Sequence, residues 1–234
     1  ATTTDVPVTI NQHFGVPVTF NVNELGGTRR DLFGEQAEGM HYALGKKIVD
    51  YLFTLLTAAN FTNHSDSKLS EFQRSGMTAM AKALNGRGVS EMGRYALLNG
   101  DFFEKLGQDS SLVQLAAFQK PEYLTQYRLP PVAGFDPYEA SSLPDNSEDL
   151  AGFSGTADAL ALATRVPNDY AAALPGASNG VVSTVTNEDT GISVQLVQFV
   201  DHVKAEANAR VALMFGAAKG NPASGQRLVV LDES

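Results

Sequence analysis

Five consecutive residues, Gly176-Ala177-Ser178-Asn179-Gly180, spell G-x-S-x-G, and Asp201 and His202 follow in the order Ser, Asp, His used by one class of hydrolases. That chemistry places the serine on a strained turn between a strand and a helix, with its hydroxyl raised toward a base. Here Leu174-Pro175 precedes the motif and the β-branched run Val181-Val182-Ser183-Thr184-Val185 follows it. Adjacent Asp201 and His202 also point to opposite faces of any strand that carries them. The motif reads as a glycine-rich loop entering a strand, and a serine hydrolase using Ser178 remains only as a rival reading. Asp189-Thr190-Gly191 matches the tripeptide of aspartic proteases, which need two carboxylates sharing a proton in an apolar cleft. One copy is present, and Glu188 stands where an apolar residue is required. A hairpin turn with Gly191 at positive φ is predicted instead.

The remaining candidates are weaker. Gly86-x-Gly88 fails as a dinucleotide fingerprint because Glu91 occupies the third glycine position and a helix precedes it. His13, His41, His64 and His202 are scattered, without the paired spacing of a zinc site. Asn60-Phe61-Thr62 and Asn63-His64-Ser65 match glycosylation sequons but follow no secretory signal pattern. Arg29-Arg30 and Lys46-Lys47 are short basic pairs that read as solvated faces or contacts between subunits. The expectation is a protein that is not an enzyme, with no catalytic, cofactor-binding or metal residues assigned and no cofactor required.

Bulk composition points the same way. At 234 residues the chain can bury one large core or two modest ones, and 43% hydrophobic residues is ordinary for a globular protein. The absence of cysteine excludes a disulfide framework and a thiolate metal site, and fits a reducing compartment. A formal net charge of -9 argues against a nucleic-acid binder, which shows a basic stripe. The apolar run 48–61 is too short to span a membrane and carries Asp50. The chain opens on Ala1, with Thr2-Thr3-Thr4 directly before strand pattern, so a trimmed N-terminus is expected.

The elements that would position any site are organised around residues 35–60. Met40, Leu44, Ile48, Leu52, Leu55 and Ala59 recur there at helical spacing, which predicts one long spine helix. Before it, 6–20 contains the near-repeat VPVTI and VPVTF, predicting two strands or one bent strand. Pro7 and Pro17 confine these to an edge or to a projecting arm. Residues 61–67 read as a polar linker, with Ser67 as N-cap of a helix to Leu84. Asn85-Gly86-Arg87-Gly88 stops that helix. A strand is predicted at 94–98, a helix capped by Asn99 through Leu106, and another helix at 111–119. A turn at Ala133-Gly134 leads into strand 135–138, and 143–149 reads as an acidic surface loop. Residues 156–165 favour helix by propensity, with strand left open. Residues 181–185 and 192–200 form a predicted β-hairpin. Residues 204–215 (KAEANARVALMF) look helical by composition. The irregular mixture of helices and strands indicates an α+β fold.

In that order the segments resemble the major capsid (coat) proteins of tailed bacteriophages, which share the Hong Kong-phage capsid fold with herpesvirus shells and bacterial encapsulins. VTINQHFGVPVTFNVNEL is similar to the returning arm of the family's extended loop, and ALGKKIVDYLFTLL to its spine helix. MTAMAKALNGRGVSEMGRYALLNGDFFEKL resembles the helix, turn, strand and helix that follow. PVAGFDPYEASSLP and GFSGTADALALATRVPNDY resemble strands of its axial domain, and ISVQLVQFVD and MFGAAKGNPASGQRLV its closing strands. The resemblance implies a projecting β arm at 1–30, a spine helix of the peripheral domain at 31–64, an axial domain at 65–178 and closing strands at 179–234. It also implies strand rather than helix at 204–215. The implied function is that of a structural subunit of an icosahedral phage or prophage head enclosing packaged DNA. The alternative on the same fold is an encapsulin-like nanocompartment shell. Implied partners are further copies of the chain, with scaffolding and portal proteins, and neither specific nucleic acid nor membrane. The implied location is the virion, assembled in the bacterial host cytoplasm.

Overall fold

A computed structural model describes residues 5–21, 32–119, 127–168 and 180–231. The chain divides into two compact units, one comprising Asp50–Ala161 and Ala218–Ser234 with Ala1–Val6, the other Pro7–Val49 and Leu162–Ala217.

In the second unit, strand β1 (Gln12–Asn21), β7 (Gly180–Thr186), β8 (Ser193–Asp201) and β9 (Glu206–Lys219) form a sheet in the order β1-β9-β8-β7, with β6 (Leu160–Arg165) also pairing β9. The registers set its two faces. Phe14, Val16, Val18 and Phe20 of β1 stand opposite Leu213, Val211, Ala209 and Ala207, and Val211 stands opposite Leu196. Period-two alternation therefore collects the branched and aromatic residues on one face. The other face carries Thr19, whose hydroxyl donates to Asn208 Oδ1 at 2.7 Å, and Arg210, whose guanidinium lies across Gly15. Helix α1 (Leu32–Phe53) buries Met40, Leu44 and Ile48 in the stripe predicted for it. Lys47 Nζ lies 5.8 Å from the centre of the Phe14 ring, so the helix covers the apolar face of the sheet.

Several sequence expectations are corrected here. The spine helix begins three residues earlier than expected and ends at Phe53, not Asn60. Past Phe53 the turn tightens, with Thr54, Leu55 and Leu56 donating to Tyr51, Leu52 and Phe53 carbonyls, and the Thr54 hydroxyl also bonds Tyr51. Burial then passes from Leu52 and Leu55 to Phe53 and Leu56. At 22 residues the helix is about 33 Å long. Of the two forms expected for the near-repeat, the single strand is the one seen, Gln12–Asn21, paired along all ten residues with β9. It does lie at the sheet edge that Pro17 demanded. Residues 206–219 are strand, as the resemblance implied against their composition.

The first unit holds a mixed sheet in the order β2-β10-β5-β3-β4: β2 (His64–Ser67), β3 (Arg94–Leu98), β4 (Phe135–Glu139), β5 (Leu150–Gly155) and β10 (Gly225–Val230). Helices α2 (Arg74–Gly86), α3 (Gly100–Gly107) and α4 (Ser110–Gln119) belong to the same unit. One core cluster gathers Phe72, Met77, Met80, Leu84, Phe102 and Leu106, with the Phe72 and Phe102 rings edge-on at 4.9 Å. A second gathers Phe53, Leu56, Phe61, Leu150 and Phe153. Each such side chain contributes about 1.5–3 kcal/mol through burial. Residues 61–67 are not a plain linker, because 64–67 pair in parallel with β10. Ser67 does not cap α2, whose N-cap is Gln73 with no side-chain bond. Instead Asp109 Oδ2 accepts from the first helical amide, Arg74 N, at 3.1 Å. Asn99 caps α3 as predicted, its Oδ1 accepting from Phe102 N at 3.0 Å. Residues 157–159 form one short 3-10 turn and 160–165 are strand.

Candidate assembly surfaces

The residues that spelled out chemistry do structural work where the structure describes them. Ser178 and the rest of its motif up to Asn179 lie outside the described residues. Asp201 closes β8 and uses Oδ1 to accept from Val203 N at 2.9 Å and Lys204 N at 3.2 Å, an Asx turn with His202 as its middle residue. Asp189-Thr190-Gly191 is the hairpin turn between β7 and β8. Asn187 Oδ1 accepts from the amides of Asp189 and Thr190, and Gly191 sits at φ +67. The histidines do not converge: His13 is in β1, His41 bonds the Ala37 carbonyl one turn back in α1, and His64 lies 3.6 Å from Asp66. Among the described residues no three of His, Asp and Glu gather to hold a metal ion. Of the sequon asparagines, Asn60 Nδ2 donates to the Leu55 carbonyl at 2.8 Å and Asn63 Nδ2 to the Pro222 carbonyl at 3.5 Å. No helix among the described residues is long and apolar enough to cross a membrane.

The acidic loop at 143–149 is the feature that sequence reading missed. It was expected to be solvated, yet Glu148 turns inward to meet Arg227 Nη1 at 2.5 Å, with the Arg227 side chain 6% exposed. The same carboxylate accepts the Ala58 amide at 2.9 and 3.0 Å, and Arg227 Nε donates to the Phe61 carbonyl at 2.8 Å. Asn146 Nδ2 donates to the Leu56 carbonyl at 2.7 Å. These bonds fasten the irregular turn after α1 to β10. The sequence signal was thin: one arginine in an otherwise apolar RLVVL strand, which must find a carboxylate if it is buried.

The surfaces left over are sheet edges and apolar patches. Strands at the ends of the two ladders differ in how they are protected. β2 is four residues long and carries Asp66, β4 carries Asp136, Pro137 and Glu139, and β1 carries Pro17. β7, GVVSTVT, has neither charge nor proline, and its Val181 and Val185 are 65% and 43% exposed. Beside it, between α1 and the β7–β8 turn, lies a groove of about 520 Å³ floored by Leu44, Ile48, Val185, Ile192 and Val194. Such edges and grooves bind extended chains.

No protein-family model matches the chain, and no curated protein sequence does. Solved structures do match. The capsid of Cyanophage P-SCSP1u aligns over 97% of this chain and 74% of its own, with TM-score 0.66 at 10% identity. A structure of Mycobacterium phage Che8 aligns over 97% and 76%, with TM-score 0.61 at 13% identity. The mature capsid of bacteriophage PhiM1 aligns over 97% and 73%, with TM-score 0.58 at 9% identity. The chain has the phage capsid fold. At these identities sequence similarity is nearly gone, so what the proteins share is the path of the chain. In the terms of the phage capsid fold, the α+β class and the spine helix read from the sequence both stand.

Proposed function

We propose that this chain is the major head subunit of a tailed bacteriophage, many copies of which close into an icosahedral shell around packaged DNA. The observation that carries this reading is likeness to phage capsids over 97% of the chain. The surface chemistry supports it: an end strand without charge or proline, an apolar groove and exposed valines are what repeated interfaces between copies use. A net charge of -9 suits a wall that encloses DNA without gripping it. On this reading the unit built on Asp50–Ala161 is the axial lobe and the unit of Pro7–Val49 and Leu162–Ala217 is the peripheral lobe. The partners are other copies, with scaffolding and portal proteins during assembly in the bacterial host cytoplasm, and the destination is the virion.

Negative-stain electron microscopy of the gene product, expressed with its neighbouring genes, tests the proposal. Uniform closed particles are expected. Monomers that persist with those genes present would sink it.

A further inference from the structure

Among the described residues β7 ends its ladder, and the turn after it fixes which of its backbone groups face outward. Asn187 N donates to the Ile192 carbonyl at 3.0 Å, so the Asn187 backbone faces β8. The β7–β8 register is unbroken and alternate residues of a strand face opposite edges, so Val185, Ser183 and Val181 face β8 as well. The Gln198 carbonyl agrees, because it lies on the β7 side, where a Cβ on Gly180 would meet it. The amides and carbonyls of Gly180, Val182, Thr184 and Thr186 therefore point away from the sheet, and no described residue bonds them. Val181, Ser183, Thr184, Val185 and Thr186 are exposed.

The strand reads nearly the same in both directions about Ser183. Val181 answers Val185, and Val182 answers Thr184, which shares its branched shape. An antiparallel pairing of two such strands with Ser183 on a two-fold axis overlaps all seven residues. It sets outward residues opposite outward residues, Val182 against Thr184 and Gly180 against Thr186, so each outward amide meets a carbonyl. Val181 of one copy then stands beside Val185 of the other, on the face where Val185 lines the groove with Leu44, Ile48, Ile192 and Val194. Branched side chains facing each other across strands are what stabilises such a pair. Charge selects the same arrangement. Glu188 and Asp189 follow β7 closely, and a parallel pairing in register would set them against their own copies. In the antiparallel pair the two acidic turns lie at opposite ends, about 30 Å apart and beyond the screening length at physiological salt.

We propose that β7 is the docking edge for β7 of a second copy, the two strands joining antiparallel about Ser183 into one sheet that runs through both copies. The inference rests on the self-assembling reading above and deepens it by naming a contact between copies. The same patch serves on both sides, so the contact is isologous and closes at a dimer, a two-fold link that a closed shell can repeat. A strand pair of this length is a small interface, which makes covalent trapping the suitable readout.

The chain has no cysteine, so each introduced thiol reports one contact. Ser183→Cys, Val181→Cys, Val185→Cys and the double variant Val181→Cys/Val185→Cys are made in the full chain, expressed with its neighbouring genes, oxidised and run on non-reducing gels. All three positions are exposed, so the substitutions leave the core untouched. Across the axis the two Ser183 Cα atoms form a non-hydrogen-bonded pair about 4.5 Å apart, within disulfide reach, while Val181 lies about 13 Å from its own copy. Ser183→Cys and the double variant are expected to give covalent dimers and nothing larger, and the two single valine variants to stay uncrosslinked. Dimers from Val181→Cys or Val185→Cys alone, formed as fast as those of Ser183→Cys, overturn the proposal in favour of another register or random collision. If neither Ser183→Cys nor the double variant crosslinks while closed particles form, the pairing is wrong and the shell reading stands. Ser183→Cys dimers without closed particles uphold the pairing and remove the shell reading.

Discussion

At the scale of residues, the most consequential side chains are those buried with a polar function. Arg227 is held by one carboxylate, Glu148, and by the Phe61 carbonyl. Removing one partner of a buried pair leaves an uncompensated charge, so Glu148→Gln is expected to cost about 3–5 kcal/mol in urea unfolding. The glutamine can still accept from Ala58 N, so the loss reads the charge and not the loop. Tyr95 lies against the Phe153 ring at 6.3 Å, and burial pushes its phenol up to about 12. The unfolded chain gives up this proton near pH 10, before the folded one does. The group's contribution is therefore fully present below pH 10 and is lost as pH rises toward 12. Tyr95→Phe is expected to leave stability at pH 7 nearly unchanged and to flatten the decline above pH 10, read as Tm against pH.

At the scale of elements, Asp109 shows how a helix is held by a residue that sequence reading could not assign to it. Its Oδ1 accepts from Ser111 N at 2.9 Å and Ser111 Oγ at 2.7 Å, at the start of α4, while Oδ2 caps α2 from 35 residues away. The Ser111 hydroxyl, opposed by desolvation and helped by the Arg74 and Ser111 amides and the Arg74 charge, holds the Asp109 carboxyl below its ordinary range. A depressed pKa stabilises above the unfolded value of about 3.9 and is lost as pH falls through the folded value. Asp109→Ala is expected to cost about 1–2 kcal/mol at pH 7, and the gap to the parent to narrow below pH 4. The same pattern separates what was legible from what was not. Local chemistry was readable: the Asn99 cap, the β7–β8 hairpin with its Gly191 turn, β3 and the buried stripe of α1 all follow from neighbours in the chain. Long-range partners were not. Ser67 looked like a cap because Asp109 was out of view, and 143–149 looked solvated because Arg227 was. Residues 204–215 contain alanine, glutamate and lysine in helical proportion, yet β1 and β8 flank them and impose strand.

At the scale of the whole molecule, the first strand decides how the chain divides between folding and assembly. A free arm could be cut away through Leu25 without harm to the body. The ladder from Gln12 to Asn21 changes that expectation, because β1 covers one edge of β9 and buries Phe20 to 8% exposure. Two deletions separate the roles. Removing residues through Ile10 leaves every registered pair of β1 intact, so Tm and the circular dichroism spectrum should match those of the full chain. On the head-subunit reading this segment belongs to the β arm, so closed particles should be absent by electron microscopy. Removing residues through Asn21 strips the strand itself and opens β9 along ten residues. Phe20 alone forfeits about 1.5–3 kcal/mol of burial, and an uncovered edge beside Val211 and Leu213 invites aggregation. That chain is expected to be destabilised by several kcal/mol and poorly soluble. Should the shorter deletion still form closed particles, residues 1–10 have no part in joining copies. If the longer deletion instead folds as well as the parent, β1 is an addition to β9 and not a member of its core.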